Sequence, residues 1–122
     1  MNNRIMLVDD ADFMRLVLKD VLTKNGYEVV AEAKDGREAI EKYREVLPDL
    51  ILMDVTMPGM DGLEALKEIR KFNPEAKVVM CSALSQKVVV FEAIKAGAAT
   101  FVVKPFDADL LIHTVKKVLA QD

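Results

Sequence analysis

The sequence predicts a doubly wound α/β fold of the (βα)5 kind, one parallel five-stranded sheet in the order 2-1-3-4-5 with helices on both faces. Three observations predict it. Short apolar runs recur five times, each closing on polar or turn-forming residues. Between them lie stretches of helical period that open on capping residues and stop at Gly or Pro. The two patterns alternate strictly, and right-handed crossovers then leave few alternatives to a parallel sheet. The 122 residues are expected to form one domain, spanning 1–122, with a core large enough to need no staples.

The first run, Ile5-Met6-Leu7-Val8, ends in Asp9 and Asp10. Asp12 is expected to cap the next helix, whose inward face is read as Met14, Val17, Leu18, Val21 and Leu22, with Gly26 as its stop. Val29 to Ala33, interspersed with charges, suits a strand nearer the sheet edge. Asp35 and Glu38 have capping-box spacing, and Ala39, Ile40, Tyr43 and Leu47 form the second inward stripe. Leu50-Ile51-Leu52-Met53 is apolar throughout, as a strand buried on both faces should be, and runs straight into Asp54 before the Val55-Thr56-Met57-Pro58-Gly59 turn. Asp61-Gly62 opens a third helix with Leu63, Leu66 and Ile69 inward, ended by Asn73-Pro74. Val78-Val79-Met80-Cys81 delivers Ser82 to the same sheet edge, and a fourth helix over about 86–96 stops at Gly97. Thr100-Phe101-Val102-Val103 ends at Lys104-Pro105-Phe106, and Asp107 caps a last helix with Leu111, Val115, Val118 and Leu119 inward.

Composition narrows the function classes. The net charge of −3 advertises neither nucleic acid nor an anionic membrane as partner. The lone Cys81 cannot form an internal disulfide, fits a reducing cytoplasm and reads as core filler, like Met6, Met53 and Met80. No apolar stretch is long enough to span a bilayer, and Met1-Asn2-Asn3-Arg4 leads into a strand, not a signal peptide. A cytoplasmic monomer is expected. His113, the only histidine, falls on the last helix away from the acids and is expected to do nothing catalytic.

With strand 1 beside strand 3, Asp9, Asp10 and Asp54 converge at the edge where open α/β sheets bind ligands. Each alone would pass for a turn or capping acid. Together they repel one another unless a cation offsets them. A hard divalent ion such as Mg²⁺ suits oxygen ligands, with Asp10 and Asp54 as direct ligands, a backbone carbonyl near Thr56 as a third, and Asp9 holding a coordinated water. Asp54 is then placed to attack phosphorus, with Lys104 and the Ser82 hydroxyl for two of the phosphoryl oxygens.

The Asp9-Asp10 pair, Asp54 ahead of Met57-Pro58-Gly59-Met60-Asp61-Gly62, Ser82-Ala83, Ala96-Gly97-Ala98 and Lys104-Pro105-Phe106 closely resemble the receiver domain of two-component response regulators, over the whole chain. Receivers are standing examples of the 2-1-3-4-5 order, so that part of the prediction is inherited. The resemblance, nearest to stand-alone chemotaxis receivers, implies Mg²⁺-dependent phosphorylation of Asp54 by a CheA-like histidine kinase and a cis Lys104–Pro105 bond. It implies a protein that accepts phosphate and slowly loses it, without turning over a substrate. It assigns Ser82 and Phe101 as a coupled switch, although many chemotaxis members carry Tyr where this chain has Phe101. It also implies a FliM-like flagellar motor switch protein as output partner.

The partner face is read as Lys87, Val90, Ile94, Phe101, Val103 and Phe106, on the premise that Phe91 packs inward with Val88 and Ala98 while Val90 and Ile94 face out. Phe13 and Leu16, off the inward stripe of the first helix, suggest a second docking surface for kinase or phosphatase. Thr56 and Leu84 flank the expected path of attacking water and neither holds water well, so slow self-dephosphorylation and a dedicated phosphatase are expected.

Three rivals stand beside this reading. A haloacid dehalogenase-type phosphatase would place an Asp where Thr56 stands and add a cap domain. A flavodoxin-like electron carrier of the same topology would not put Asp9-Asp10-Ala11-Asp12 against a phosphate. A single-domain phosphorelay intermediate would share the chemistry and differ in pathway. No Gly-rich nucleotide fingerprint is present.

Overall fold

The computed structural model describes residues 2–83 and 87–121. Its elements follow in order: β1 (Arg4–Val8), α1 (Asp12–Lys24), β2 (Glu28–Ala33), α2 (Gly36–Val46), β3 (Leu50–Asp54), α3 (Gly62–Phe72), β4 (Val78–Ala83), α4 (Lys87–Lys95), β5 (Thr100–Lys104) and α5 (Ala108–Leu119). All pairings are parallel and the sheet runs β2-β1-β3-β4-β5. This is the predicted fold and strand order.

The uninterrupted apolar runs are explained by a core on each face. In β1, β3 and β4 alternate residues point to opposite faces. Met6, Val8, Ile51, Met53, Val78 and Met80 join the cluster with Ala39 and Tyr43 of α2, Leu66 and Ile69 of α3, and Ala93 of α4. Ile5, Leu7, Leu50, Leu52, Val79 and Cys81 join the other, with Leu18 and Leu22 of α1 and Leu111, Val115 and Val118 of α5. Fully burying one such side chain contributes about 1.5–3 kcal/mol. The three strand methionines are indeed filler, and burial pushes the Cys81 thiol up to about 12, leaving it inert.

Several local expectations need correction. Asp12 does not cap α1: Ala11 occupies that position without a side-chain bond, and Asp12 lies in the first turn paired with Arg15. Val17 sits at the margin of the inward stripe, 37% exposed, because α1 meets the sheet along Met14, Leu18, Val21 and Leu22. Leu47 is not part of the α2 stripe; it is the exposed C-terminal cap in left-handed geometry (φ 45°), where Arg4 donates to its carbonyl at 2.9 Å. Asp35 accepts from the Glu38 amide at 2.8 Å, but the Glu38 carboxylate reaches the Lys34 amide, not that of Asp35. Asp61 and Asp107 cap α3 and α5 as expected.

The largest correction is in α4. Phe91 and Val88 point outward, Phe91 being 65% exposed with the Lys95 ammonium over its ring, while Val90 is buried at 8%. Packed toward the core lie Val89 and Ala93, with Ala96 just past the helix end, so the inward line of α4 carries no aromatic ring. The proposed start of this helix at Gln86 lies outside the described residues.

Candidate functional site

The carboxyl ends of β1, β3, β4 and β5 meet at one pole. Asp9 follows the last residue of β1, Asp54 is the last of β3, Ser82 lies near the end of β4, and Lys104 ends β5. Asp9, Asp54 and Ser82 are buried polar residues in an otherwise apolar setting. Lys104 Nζ lies 3.0 Å from Asp9 Oδ2 and 3.3 Å from Asp54 Oδ2, bridging two strands that are not its neighbours. Asp9 Oδ1 accepts from the Ala11 amide at 2.9 Å, and the Asp9 amide donates to Ala33 of β2 at 3.0 Å. Asp54 Oδ1 accepts a longer bond from the Thr56 amide, 3.4 Å. Asp10, by contrast, is exposed. Asp9, Asp10 and Asp54 each offer a carboxylate oxygen within 4.8 Å of the others.

Electrostatics follow from this crowding. Burial pushes the Asp54 carboxyl above its ordinary value; the Lys104 ammonium opposes the shift and the Asp9 charge reinforces it. Burial alone would lower the Lys104 pKa, yet its hydrogen bond to Asp9 and the Asp54 and Asp9 charges outweigh that and raise it. Lys104 therefore stays cationic at neutral pH, one charge among three acids. The donor set is hard oxygen with a residual negative charge, which fits Mg²⁺ and suits no soft metal.

The turn after Asp54 is held by two helix starts. Gly62 donates to the Val55 carbonyl at 2.9 Å, and a β-carbon there would overlap the Asp54 carbonyl oxygen. Gly36, at the start of α2, donates to the Met60 carbonyl at 3.1 Å. Both glycines sit where the backbones come too close for any side chain. The Lys104–Pro105 bond is cis.

Ser82 also lines an apolar groove of about 490 Å³ between α4 and β5, with Lys87, Val90, Phe91, Ile94, Phe101 and Val103. Five of the six residues read as a partner face from sequence therefore share this groove. Phe106 does not; it is half-buried against the core on the α1 and α5 side. Phe91, expected inside, and Ala83 line the groove too, and neither belongs to the partner face read from sequence. Phe101 is 42% exposed at the groove rim. Phe13 and Leu16 are exposed on the first turns of α1, Thr56 is exposed beside Asp54, and His113 is exposed on α5. Leu84 lies outside the described residues.

Comparison with known proteins agrees with the geometry. Residues 5–116 match the response regulator receiver domain. The chain belongs to the response regulator receiver family. Among curated relatives of this receiver, the chemotaxis protein CheY of Thermotoga maritima is 54% identical over 118 residues, covering 97% of this chain and 98% of that protein. The chemotaxis protein CheY of Bacillus subtilis is 55% identical over 119 residues, covering 98% and 99%. Among solved structures, a chain of the CheX-CheY-BeF3-Mg²⁺ complex from Borrelia burgdorferi superposes with a TM-score of 0.92 at 35% identity, covering 97% of this receiver and 90% of that chain. No helix among the described residues is long and apolar enough to cross a membrane.

Proposed function

We propose that this receiver is a chemotaxis-type phosphorylation switch in which Asp54 takes a phosphoryl group from a histidine kinase and the α4–β5 groove relays its arrival to a flagellar motor switch protein. The observation that carries the reading is Lys104 Nζ within 3.3 Å of both Asp9 and Asp54, with Asp10 in the same cluster. Structural acids at separate strand ends would not share one lysine and bring three carboxylate oxygens within 4.8 Å of one another.

Asp10 and Asp54 would hold a Mg²⁺, with the Thr56 carbonyl as a third ligand and Asp9 holding a coordinated water. When bound, the ion would neutralise charge on the phosphoryl oxygens. The chain's own residues do the rest. The bond from an Asp54 carboxylate oxygen to phosphorus forms as the donor's phosphorus–nitrogen bond breaks, and the imidazole leaves with the electron pair. Lys104 meets one phosphoryl oxygen as a mobile point charge, and the Ser82 hydroxyl donates to another. Ser82 drawn toward the phosphoryl group vacates space in the groove that Phe101 turns in to fill. Lacking a hydroxyl, Phe101 reports through shape alone.

The chain, 1–122 as one receiver unit, acts as a cytoplasmic monomer and turns over no substrate. Thr56 beside Asp54 is neither acid nor amide and holds attacking water poorly, so dephosphorylation is slow and a dedicated phosphatase ends the signal; a phosphoryl half-life of seconds would contradict this. Exposed Phe13 and Leu16 next to the acids favour a docking surface there for kinase or phosphatase. Unchanged phosphotransfer and dephosphorylation in Phe13→Ala and Leu16→Ala would remove that surface.

The decisive experiment treats wild type and Asp54→Asn with Mg²⁺ and beryllofluoride and follows binding of a peptide from a flagellar switch protein. Affinity is expected to rise about tenfold in wild type only, within the usual range of coupling between sites. An equal response in Asp54→Asn, or none in wild type, overturns the proposal.

A further inference from the structure

The loop between β1 and α1 carries two of the three acids, and its main chain is held by a residue that the chemistry above does not use. Arg15 lies one turn into α1 with its side chain only 13% exposed. Its guanidinium donates to the main-chain carbonyl of Asp9, to the carboxylate of Asp12, and through Nε to Glu32 of β2 at 3.1 Å. Lys19 Nζ, 3.7 Å from the other Glu32 oxygen, steadies that anchor. A guanidinium presents its donors in one rigid plane, so three acceptors from three segments are set relative to one another.

Asp10 sits between two of those acceptors. It makes no hydrogen bond or ion pair among the described residues, so the backbone alone aims its carboxylate. That backbone is tied at Asp9, whose carbonyl accepts from Arg15 and whose amide donates to Ala33, while on the other side Arg15 holds the Asp12 side chain at the start of α1.

We propose that Arg15 is a positioning residue for the acidic site: by holding the Asp9 carbonyl on one side of Asp10 and the Asp12 carboxylate on the other, it presents the Asp10 carboxylate to a divalent cation shared with Asp9 and Asp54. The inference rests on the reading of these acids as a Mg²⁺ site and adds a residue to it. Charge and geometry predict opposite signs, which makes the idea testable. Removing a cation beside three acids should tighten Mg²⁺ binding if Arg15 acts only through its charge. Loosening the loop should weaken it.

The test is calorimetric titration of the full chain with Mg²⁺ alone, for wild type, Arg15→Gln and Arg15→Lys, with thermal unfolding in metal-free buffer as the check on folding. Arg15→Gln is expected to bind about tenfold more weakly, the scale seen when groups orienting metal ligands are lost. Arg15→Lys keeps the charge and loses the fork, and is expected to recover part of that loss, binding about threefold more weakly than wild type. Affinity in Arg15→Gln equal to or tighter than wild type overturns the inference. Should Arg15→Gln fail to fold, wild-type affinity in Arg15→Lys overturns it instead. A wild type that takes no Mg²⁺ overturns the metal reading and this inference together, whereas wild-type binding with unchanged variants overturns the inference alone.

Discussion

Asp54 occupies a place where an ionised carboxylate is disfavoured, 8% exposed at the end of a strand buried on both faces. Burial raises its proton affinity, Lys104 offsets part of the effect, and Asp9 adds to it. A folded-state pKa above the unfolded one means that protonation favours the fold. The associated stability is complete below the unfolded value and is lost as pH rises through the folded value, so at pH 7 ionised Asp54 opposes folding. Asp54→Asn is therefore expected to melt higher than wild type at pH 7 without metal. The gain should shrink as pH falls through the acidic range. Circular dichroism melts at several pH values check this, and a lower melting point for Asp54→Asn at pH 7 would contradict it. The acids and Lys104 were legible in sequence because each ends an apolar run. That Lys104 ties Asp9 to Asp54 was not, since the contact joins strands whose separation only the sheet order removes; that Arg15 holds the Asp9 carbonyl six residues back was not, since it depends on how α1 leaves the loop after β1.

At the scale of elements, α4 shows where periodicity misleads. A run of three valines followed by Phe91 offers more than one plausible inward face, and size suggested the aromatic. The core instead takes Val89, Ala93 and Ala96, with Val90 closing the groove floor and Phe91 left outside. Val90→Ala should destabilise by roughly 1–3 kcal/mol, the usual range for removing buried methyl groups. Phe91→Ala should change stability by less than about 0.5 kcal/mol and yet weaken binding of the output partner. Urea unfolding and peptide binding, measured on both variants, separate the two roles; a larger stability loss in Phe91→Ala would restore the inward aromatic. The cap of α1 misled for a related reason. Asp12 has capping chemistry, but Arg15 at the next turn recruits it as an ion pair.

For the molecule as a whole, the site is a meeting of distant residues: Lys104 and Asp9 are 95 positions apart in sequence and 3.0 Å apart in space. Anything that binds these acids in the folded state alone must stabilise the whole domain. Mg²⁺ at 100 times its dissociation constant should add about 2.7 kcal/mol. Asp10→Asn is the informative control, since Asp10 has no partner among the described residues and removing one of three clustered acids should not lower metal-free stability. A melting point that climbs with Mg²⁺ in wild type and stays flat in Asp10→Asn is the expected result. Equal slopes in the two would place the cation elsewhere.

By itself the sequence determined the alternation of strands and helices, the two-faced burial of the central strands and the ends at which acids, Ser82 and Lys104 emerge. These depend on local spacing and on apolar content, which the chain displays directly. Only the tertiary structure decided which face of α4 meets the sheet, that Phe106 leaves the groove while Phe91 joins it, and that Arg15 grips the acidic loop. Those outcomes depend on the room left between elements once they pack, and the shape of that room is a property of the assembled fold.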